Sequence, residues 1–598
     1  MSNLSKIRRD KMIEFLEMLK EQHSDDESLI AINQIEKELV SKRYGLVWEE
    51  HEEAVDVMMR ENIPVFEEVQ EREITTCSDA SYNFLLEGDN LHSLYLLEKT
   101  HREKIDVIYI DPPYNTGSRD FKYNDSFVDK QDGYRHSKWI SFMDKRLRIA
   151  KKLLSKVGVI FISIDDNEEA PLKLLCDEVF GEECFVANVS WQRTYSPRND
   201  SKGLSSEVEH ILIYSNRVNW MPKKLQRTEK MNSIYKSPDN DPKPWTSSSV
   251  TAPSASTHQG MVYAIQHPFT GELMYPTNGR CWALNQEQML ENLNEWAKYR
   301  LVQLNDDKKR AEICGVTVEE IRKGVMGIVL EQELEEAQVQ ARKVLERGNW
   351  PYFYFTNNGK GGMRRKTYLE EMDGRMPTNY WPFSEVGHTD GAKKELKNIF
   401  GGTIPFDTPK PTSLVERILD IASTNESIIL DFFAGSGTTA HAVMKYNAKH
   451  EDSHRKYILC TNNENNICEN VTYRRIQNVI TGYAKEEAIL SNLKYYRTNS
   501  VSQNDEYLAD ALLKHVGEMI QLEHGIKLDN KSYIMIMNDE EADELEQKWS
   551  QYTDIKAIYV AQDVLLTASQ EALFATADVH IIPDYYFNFE LREAGELW

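Results

Sequence analysis

The sequence predicts an α/β protein built on one parallel-dominated sheet, with a ligand site at the carboxyl ends of its strands. Two apolar runs support this prediction, because each is too short for a helix and ends in a distinctive loop. Residues 105–110 lead into Asp111-Pro112-Pro113-Tyr114, and residues 428–430 lead into Asp431 and the turn Ala434-Gly435-Ser436-Gly437. Because helical stretches alternate with strands around both loops, we expect the two blocks to abut in one sheet.

The first loop is stiff, because two consecutive prolines fix their φ angles and forbid both helix and ladder pairing. The carboxylate of Asp111 and the carbonyl of Pro112 are therefore predicted to form a paired acceptor site, which suits an exocyclic amine of a base. Tyr114 offers a face on which an unstacked base can lie. The alternative is an ordinary turn at the end of a strand, in which Asp111 caps a helix.

The second loop is typical of a nucleotide-binding turn between a strand and a helix. Alternate glycines let the backbone approach a ligand, and the following helix presents free N–H groups. The loop lacks the Gly-Lys-Ser/Thr of a phosphate loop and a full Gly-x-Gly-x-x-Gly, which favours a cofactor without phosphates, S-adenosylmethionine. The predicted cofactor residues here are Asp431, Phe433, Ala434, Gly435, Gly437, Thr438 and, after the next apolar run, Glu464 for the ribose hydroxyls. For Glu464, a neighbouring asparagine as the ribose contact or a solvated acid remain alternatives.

Composition limits what the rest of the chain does. A chain of 598 residues with 40% hydrophobic content is long enough for several domains, and it contains no secretory or membrane-spanning stretch. We therefore expect a soluble cytoplasmic protein. The seven cysteines are odd in number and form no Cys-x-x-Cys pair, which argues against a disulfide framework or a metal site. A net charge of −25 requires any surface that binds nucleic acid to be a local patch.

Two basic segments are candidates for that patch. The first is a glycine-rich loop, 357–366, which follows the aromatic run 352–355 and supplies Lys360, Arg364, Arg365 and Lys366. The second supplies Arg193, Arg198 and Lys202 close to the first loop in the predicted sheet. The alternative for the glycine-rich loop is a solvated hairpin tip.

Other segments are predicted to be scaffolding. Residues 4–65 show helical periodicity with many charges, and residues 285–347 are typical of a long, mostly helical arm. From about residue 500, helices alternate with three short apolar strands, which predicts a small separate α/β domain. That tail has no glycine loop or catalytic cluster, so docking is expected there rather than a second activity.

On these motifs the chain resembles β-class N6-adenine DNA methyltransferases, in which the Asp-Pro-Pro-Tyr loop precedes the Phe-x-Gly-x-Gly loop. More narrowly, it resembles the modification (Mod) subunit of type III restriction-modification systems, which share an extended motif like Asp111–Gly117. Segments 86–91, 159–166, 209–214 and Lys410-Pro411 agree with this resemblance. It implies a Rossmann-like methyltransferase sheet with an inserted target recognition domain, an N-terminal helical region and a small C-terminal α/β domain.

The resemblance also implies roles that the residues alone do not supply. Thr408, Lys410 and Pro411 would bind the methionine end of S-adenosylmethionine, and the N-terminal helices would serve dimerisation or partner contact. The implied partners are double-stranded DNA, a second copy of the chain and a helicase-nuclease (Res) or other defence subunit. The expected domains are 1–75, helical; 76–215, catalytic half; 216–384, recognition insert; 385–495, cofactor half; and 496–598, docking.

The implied reaction is direct transfer of a methyl group to adenine N6, with Asp111 orienting the amine. A 5-methylcytosine enzyme would need a thiolate nucleophile, and the sequence contains no Pro-Cys dipeptide. Methylation of cytosine N4 remains open, because that amine presents similar chemistry. Two further alternatives remain: a DNA-recognition platform of a defence complex whose methylation is weak or depends on a partner, and an RNA or protein methyltransferase, which the motif order disfavours.

Overall fold

A computed structural model describes residues 4–23, 25–40, 48–77, 80–117, 120–123, 126–196, 203–582 and 586–593. The chain divides into two compact units. The first unit combines Met1–Lys223 with Pro377–Trp598, and the second is the intervening segment Lys224–Met376. Both predicted loops therefore belong to the first unit, although about 300 residues separate them in the sequence.

The strands of the described residues are, in chain order, β1 (Asn62–Glu68), β2 (Tyr82–Glu87), β3 (Ile105–Ile110), β4 (Lys122–Tyr123), β5 (Ser126–Phe127), β6 (Leu154–Ile164), β7 (Phe185–Gln192), β8 (Val208–Ser215), β9 (Trp245–Ser248), β10 (Thr251–Pro253), β11 (Ile265–Gln266), β12 (Leu273–Met274), β13 (Arg280–Trp282), β14 (Tyr299–Val302), β15 (Gly327–Leu330), β16 (Phe353–Phe355), β17 (Met363–Tyr368), β18 (Tyr380–Trp381), β19 (Ile428–Asp431), β20 (Lys456–Thr461), β21 (Asn492–Ser502), β22 (Tyr533–Ile536), β23 (Ala557–Val560) and β24 (Asp578–Ile581).

The α-helices of the same residues are α1 (Leu4–Gln22), α2 (Asp26–Val40), α3 (Ala54–Glu61), α4 (Asn90–His101), α5 (Arg135–Leu153), α6 (Glu169–Phe180), α7 (Glu229–Asn232), α8 (Gln286–Leu293), α9 (Asp307–Cys314), α10 (Leu334–Glu346), α11 (Thr356–Gly359), α12 (Phe383–Val386), α13 (Thr389–Ile399), α14 (Thr412–Ala422), α15 (Thr438–Lys449), α16 (Arg474–Thr481), α17 (Leu508–Leu513), α18 (Val516–His524), α19 (Asp539–Lys548), α20 (Ala568–Phe574) and α21 (Asn588–Glu593).

A ten-stranded sheet forms the centre of the first unit, in the order β1-β21-β2-β20-β19-β3-β6-β8-β7-β18. The six consecutive strands from β21 to β6 are parallel to one another. Strand β8 runs antiparallel to both of its neighbours, β6 and β7, and β1 pairs antiparallel with β21. This arrangement confirms the predicted α/β class with a parallel-dominated sheet.

Helices cover both faces of this sheet, as a parallel sheet requires. On one face, buried side chains of α4, α5 and α6 form a single apolar cluster with side chains of the central strands, among them Leu97, Met143 and Leu175. Helices α14 and α15 pack against each other and contact β3 and β20, and their buried Leu414 and Val443 lie outside that cluster. The strands are thereby held rigidly, and only their ends are free to carry functional loops.

The C-terminal region has its own three-stranded parallel sheet, β22-β23-β24, which coincides with the three apolar runs predicted there. It is not a separate compact unit, however. Its buried residues, including Ile534, Ile558 and Phe574, belong to the same apolar cluster as the helices of the central sheet. The buried side chains of the tail therefore share one apolar core with the helices of the central sheet.

Two predictions of helix are wrong. Helical periodicity was expected up to Val65, but Asn62–Glu68 is the edge strand β1, because burying Ile63, Val65 and Phe66 against β21 satisfies this run better than a helix does. The expected long helical arm over residues 285–347 is interrupted by β14 and β15, which pair with each other between α8, α9 and α10. In both cases the strand partner determined the structure.

The second unit contains small sheets around an aromatic core. Strands β12-β11-β15-β14 form one sheet and β16-β17-β9 another, and Trp245, Trp296 and Phe355 are buried among them. All seven cysteines of the chain are free. Among the described residues, no helix is long and apolar enough to cross a membrane, and no cluster of His, Cys, Asp or Glu is suited to hold a metal ion.

Candidate active site

The two predicted loops meet at one edge of the central sheet. Strands β3 and β19 are parallel neighbours, with Val107 opposite Ile429 and Ile108 opposite Leu430. Asp111 follows the last residue of β3, and Asp431 is the last residue of β19. Because the carboxyl ends of neighbouring parallel strands lie side by side, the expectation that these loops abut is confirmed.

Lys410 joins the first loop, where it contacts both of that loop's polar side chains. Its Nζ lies 2.6 Å from Asp111 Oδ1 and 2.8 Å from the hydroxyl of Tyr114, and that hydroxyl lies 2.9 Å from the same carboxylate oxygen. The resemblance implied a cofactor contact for Lys410. That contact stays a prediction, while the ammonium group lies between the polar groups of the Asp-Pro-Pro-Tyr loop, which it neutralises and orients.

A second carboxylate, Glu209 on β8, completes this network. Glu209 Oε2 lies 3.1 Å from the Tyr114 hydroxyl and 3.5 Å from Lys410 Nζ, while its Oε1 accepts a hydrogen bond of 3.0 Å from Arg193. Glu209 lies in the segment 209–214 that agrees with the resemblance, but no role for it was predicted. The signal for it is an acid close to the apolar run 211–214, since such a group is buried only when it is paired.

Burial and charge together set the protonation of this network. Burial raises the pKa of Asp111 above its usual range, and Glu209 adds to that effect, although Lys410 opposes it. Burial lowers the pKa of Lys410, but the attraction of the two carboxylates outweighs it, so the net pKa is raised. Burial and the same carboxylates hold the pKa of Tyr114 well above its ordinary value. At neutral pH Lys410 is therefore charged and Tyr114 is a neutral hydroxyl.

A side chain outside the Asp-Pro-Pro-Tyr loop fixes the position of its prolines. The indole of Trp139, on α5, donates a hydrogen bond of 2.7 Å to the carbonyl of Pro113, and Pro112 is buried. This bond uses the carbonyl of Pro113 and not that of Pro112, the acceptor predicted from the sequence. The backbone that carries Asp111 is thus held by a fully buried side chain of a core helix.

The glycine loop is shaped by left-handed backbone at two positions. Gly435 has φ +46° and Gly437 has φ +73°, and a Cβ added to Gly435 would lie 3.4 Å from the ring of Phe406. The carboxylate of Asp431 closes the turn, because it accepts a hydrogen bond of 3.0 Å from the amide of Phe433 and one of 2.6 Å from the hydroxyl of Thr439. Burial raises the pKa of Asp431 to about 7. The turn therefore brings glycine backbone directly before the N-terminus of α15.

Two residues that were not predicted from the sequence hold this turn through side-chain hydrogen bonds. Arg475 is fully buried on α16. Its guanidinium donates a hydrogen bond of 2.8 Å to the hydroxyl of Thr438 and one of 3.3 Å to the carbonyl of Ser436. The hydroxyl of Thr472, which lies in the π-helical turn Cys468–Tyr473, donates a hydrogen bond of 2.6 Å to the carbonyl of Gly435. Neither residue has a local motif. A buried arginine becomes recognisable only once its partners are known.

The remaining predicted cofactor residues surround this turn. Phe433 is partly buried, with its ring centroid 5.9 Å from that of Phe142, and the amide of Ala434 donates to Cys460 at the end of β20. Pro411 is the residue before α14, and Thr408 is exposed in the loop that precedes it. Glu464 follows β20 and forms an ion pair with Lys122. These residues belong to the same unit as the two loops.

The predicted basic contacts differ in exposure. Lys360 and Arg364 are exposed, and Arg365 is partly buried with its guanidinium 3.2 Å from the Ser248 hydroxyl. Arg193 is committed to Glu209 in the network above. Arg198 and Lys202 lie outside the described residues.

The prediction that Lys366 contacts nucleic acid is wrong. Its Nζ is fully buried in the second unit and lies 2.6 Å from carboxylate oxygens of both Asp239 and Asp241. The two acids stand far away in the sequence, so the run Arg364-Arg365-Lys366 gave no indication that its last member is a core residue. Alternation along β17 places Lys366 on the opposite face from Arg365.

The sheet order and the two loops at its carboxyl edge define a Rossmann-like methyltransferase fold. The profile of the DNA methylase family (N6_N4_Mtase) matches residues 105–474, more than half of the chain, and the chain belongs to this family. The Mod subunit of the type III restriction-modification enzyme StyLTI from Salmonella typhimurium is 33% identical over 428 residues, which cover 67% of this chain and 56% of that protein. The EcoP15I Mod subunit from Escherichia coli is 30% identical over 404 residues, which cover 63% and 58%.

These similarities confirm the resemblance to type III Mod subunits that the motifs predicted. The chain spans little more than half the length of those relatives. Among solved structures, the cytosine-N4-specific PvuII DNA methyltransferase aligns with 67% of this chain and 92% of its own, at 11% identity and a TM-score of 0.30.

Proposed function

We propose that this chain is a site-specific DNA methyltransferase, which transfers a methyl group from S-adenosylmethionine to adenine N6 in duplex DNA. It would act as the modification and recognition subunit of a type III-like restriction-modification or phage-defence system. One observation carries the proposal: the Asp111–Tyr114 loop and the glycine loop lie at the ends of adjacent parallel strands. A methyl donor on one loop and an acceptor base on the other are then within reach of a single in-line transfer.

The network around Asp111 suits an aromatic amine. An adenine amino group is a weak nucleophile, because its lone pair is delocalised into the ring, and an acceptor on its N–H draws density back onto nitrogen. Asp111 is such an acceptor, and Lys410 keeps it oriented at 2.6 Å. The amine becomes acidic only as the methyl group arrives, and the raised pKa of Asp111 makes this carboxylate a better proton acceptor at that moment. The base must leave the duplex to reach this site, with the ring of Tyr114 to stack on.

The glycine loop suits a cofactor with an amino acid end and an adenosine. S-adenosylmethionine, when bound, supplies the methyl group on its sulfonium. The two left-handed glycines let the backbone approach such a ligand, and α15 begins directly after them at Thr438, where the first N–H groups of a helix have no partner within the helix and suit its carboxylate. Phe433 and Phe406 offer apolar surface beside the turn, while Glu464, Thr408 and Pro411 lie on the flanking loops. The residues present therefore fit the cofactor.

Partners and recognition are further parts of the proposal. The second unit, Lys224–Met376, would read the target sequence with Lys360, Arg364 and Arg365. The N-terminal helices would mediate dimerisation or partner contact, which is supported by Met12, Phe15 and Ile30, all more than half exposed. The expected partner is a helicase-nuclease subunit, and the expected location is the cytoplasm, where the DNA substrate lies.

The test is methylation by the purified full chain, with the Asp111→Ala variant as control. Duplex DNA incubated with S-adenosylmethionine is sequenced by a modification-sensitive method, and its nucleosides are analysed by mass spectrometry. N6-methyladenine at one short motif, absent with the variant, supports the proposal, provided that the variant still binds the cofactor. N4-methylcytosine would replace the base assignment. Unmodified DNA with the chain alone, and modified DNA after a helicase-nuclease subunit is added, would favour a partner-dependent platform.

A further inference from the structure

A buried acid outside the network described above contacts the Asp-Pro-Pro-Tyr loop. Glu168 is completely buried at the start of α6. Its Oε1 accepts a hydrogen bond of 2.5 Å from the side-chain amide of Asn115 and one of 2.7 Å from Nδ1 of His136. Glu168 occupies the N-cap position of α6, yet its side chain makes these bonds and does not cap the helix. The carboxyl group is therefore directed at the loop and at α5, and not at the amides of α6.

Asn115 explains why the loop needs such a contact. It directly follows Tyr114, has φ +56° and is completely buried. Asparagine adopts this left-handed conformation more readily than other non-glycine residues, and here its buried side chain is fixed by specific partners. Its side-chain amide donates to Glu168 and, at 3.1 Å, to the backbone carbonyl of Arg135 on α5. These two bonds hold the end of the loop opposite to Asp111.

The charged groups that face Glu168 come from every element around it. Arg135 and His136 lie on α5, Asp165 lies on the turn after β6, and Asn115 is the neutral partner on the loop. Burial raises the pKa of Glu168 to about 8, opposed by the bond from Asn115. Burial lowers the pKa of His136. At neutral pH both side chains are therefore mainly neutral, so the hydrogen bond between Glu168 and His136 joins two uncharged groups beside the guanidinium of Arg135.

We propose that Glu168 is a positioning residue, which through Asn115 holds Asp111 and Tyr114 in the geometry needed for methyl transfer. This inference rests on the proposed function. A buried acid is a costly way to fill space, and an apolar side chain would pack α6 against the sheet more cheaply. Glu168 instead supplies an acceptor for the buried side-chain amide of Asn115. It touches neither of the two reacting sites, so its effect is on geometry alone.

The first test compares Glu168→Ala and Glu168→Gln with Glu169→Gln, a matched control one residue further on α6 whose carboxylate contacts Asn188. With Glu168→Ala, kcat should fall by about tenfold to a hundredfold, because small displacements of reacting groups cost that much, whereas KM for S-adenosylmethionine should change little. Glu168→Gln keeps a neutral acceptor and should recover most of kcat. An unchanged kcat in Glu168→Ala, or a loss confined to KM, would overturn the proposal.

A double-mutant cycle with Asn115→Ala tests the route. If Glu168 acts through Asn115, the second substitution should add little to the first, whereas fully multiplicative losses of kcat would show an independent role and overturn the proposal.

An assay independent of catalysis separates this inference from the proposed function. Hydrogen exchange of the amides of residues 114–117 should be faster in Glu168→Ala than in the wild type and in Glu169→Gln, whatever reaction the site performs. If the wild type transfers no methyl group but this acceleration is seen, the proposed function fails and the positioning role stands. If the loop exchanges at the same rate in all three proteins, the positioning role fails, even where the wild type is active.

Discussion

Replacing Lys366 by methionine tests whether the second unit is held together by a buried charge cluster. The side chains of Lys366, Asp239 and Asp241 are almost completely buried, and the ammonium lies 2.6 Å from each carboxylate. Lys366→Met keeps the aliphatic stem but removes the charge, so the main effect is electrostatic. Burial raises the pKa of both aspartates, but hydrogen bonds and the attraction of Lys366 outweigh it and hold them below their ordinary value. In the variant this attraction is gone.

The expected cost follows from what remains around the two carboxylates. Breaking a buried ion pair by removing one partner costs about 3–5 kcal/mol, because an uncompensated charge stays inside. Asp239 keeps donors from the indole of Trp245 at 2.8 Å and the amide of Trp350 at 2.7 Å, and Asp241 keeps the Tyr368 hydroxyl at 3.1 Å. Because these donors remain, we expect a loss near the lower end of the range of 3–5 kcal/mol, that is, about 3 kcal/mol in the free energy of unfolding of the second unit.

The sign of the pH dependence is a further check. In the wild type, the lowered pKa of the two aspartates contributes stability that is present at neutral pH and lost only as the pH falls below about 4. In Lys366→Met these acids take up protons more readily in the folded state than in the unfolded one. The stability difference between the two proteins should therefore be larger at pH 7 than at pH 4.

Hydrogen exchange at β9 and β17, supported by calorimetry, measures this loss within the second unit itself. Arg364→Met, on the same strand but exposed, is the matched control and should change stability by no more than about 0.5 kcal/mol. Unchanged protection in Lys366→Met, combined with weaker DNA binding, would refute the reasoning and restore Lys366 as a DNA contact.

Two further predictions concern the ligand surfaces. Gly435→Val should abolish binding of S-adenosylmethionine in calorimetric titrations, because φ is +46° and a side chain would meet Phe406, whereas Gly362→Val, in open space, should not; retained affinity in Gly435→Val would move the cofactor site elsewhere. Lys360→Ala and Arg364→Ala should each weaken duplex DNA binding across sequences and reduce the slope of log affinity against log salt by about 1. An unaltered slope would mean that the hairpin tip is only solvated.

The parts of the site that were predictable are those with a local signal. Asp111 and Asp431 were found because each ends a short apolar strand at an unusual loop, and parallel strands bring their carboxyl ends to one edge. Glu168, Arg475 and the burial of Lys366 were not found. Each depends on a partner tens to hundreds of residues away, and a single sequence without that partner shows only a charged residue.

The fold shows the same division. The alternation of strands and helices was readable, because apolar runs of strand length recur between helical stretches. The strand β1 was not, since Ile63 and Val65 follow a helix directly and become a strand only by pairing with β21, more than 400 residues later. The interrupted arm in the second unit failed for the same reason, because β14 and β15 stabilise each other and not their own neighbours in sequence.

The backbone where the second unit begins and ends has a consequence for how this chain can vary. Leu225 and Arg375 exchange two backbone hydrogen bonds of 2.8 Å each, so the outgoing and returning strands of the chain are paired side by side. Neighbouring strands are about 5 Å apart, a gap that a two-residue turn closes. The segment 224–376 therefore begins and ends at adjacent points of the backbone. A two-residue turn, or another segment whose ends lie equally close, could therefore replace it without lengthening the backbone of the first unit, and every strand of the ten-stranded sheet lies outside the replaced residues.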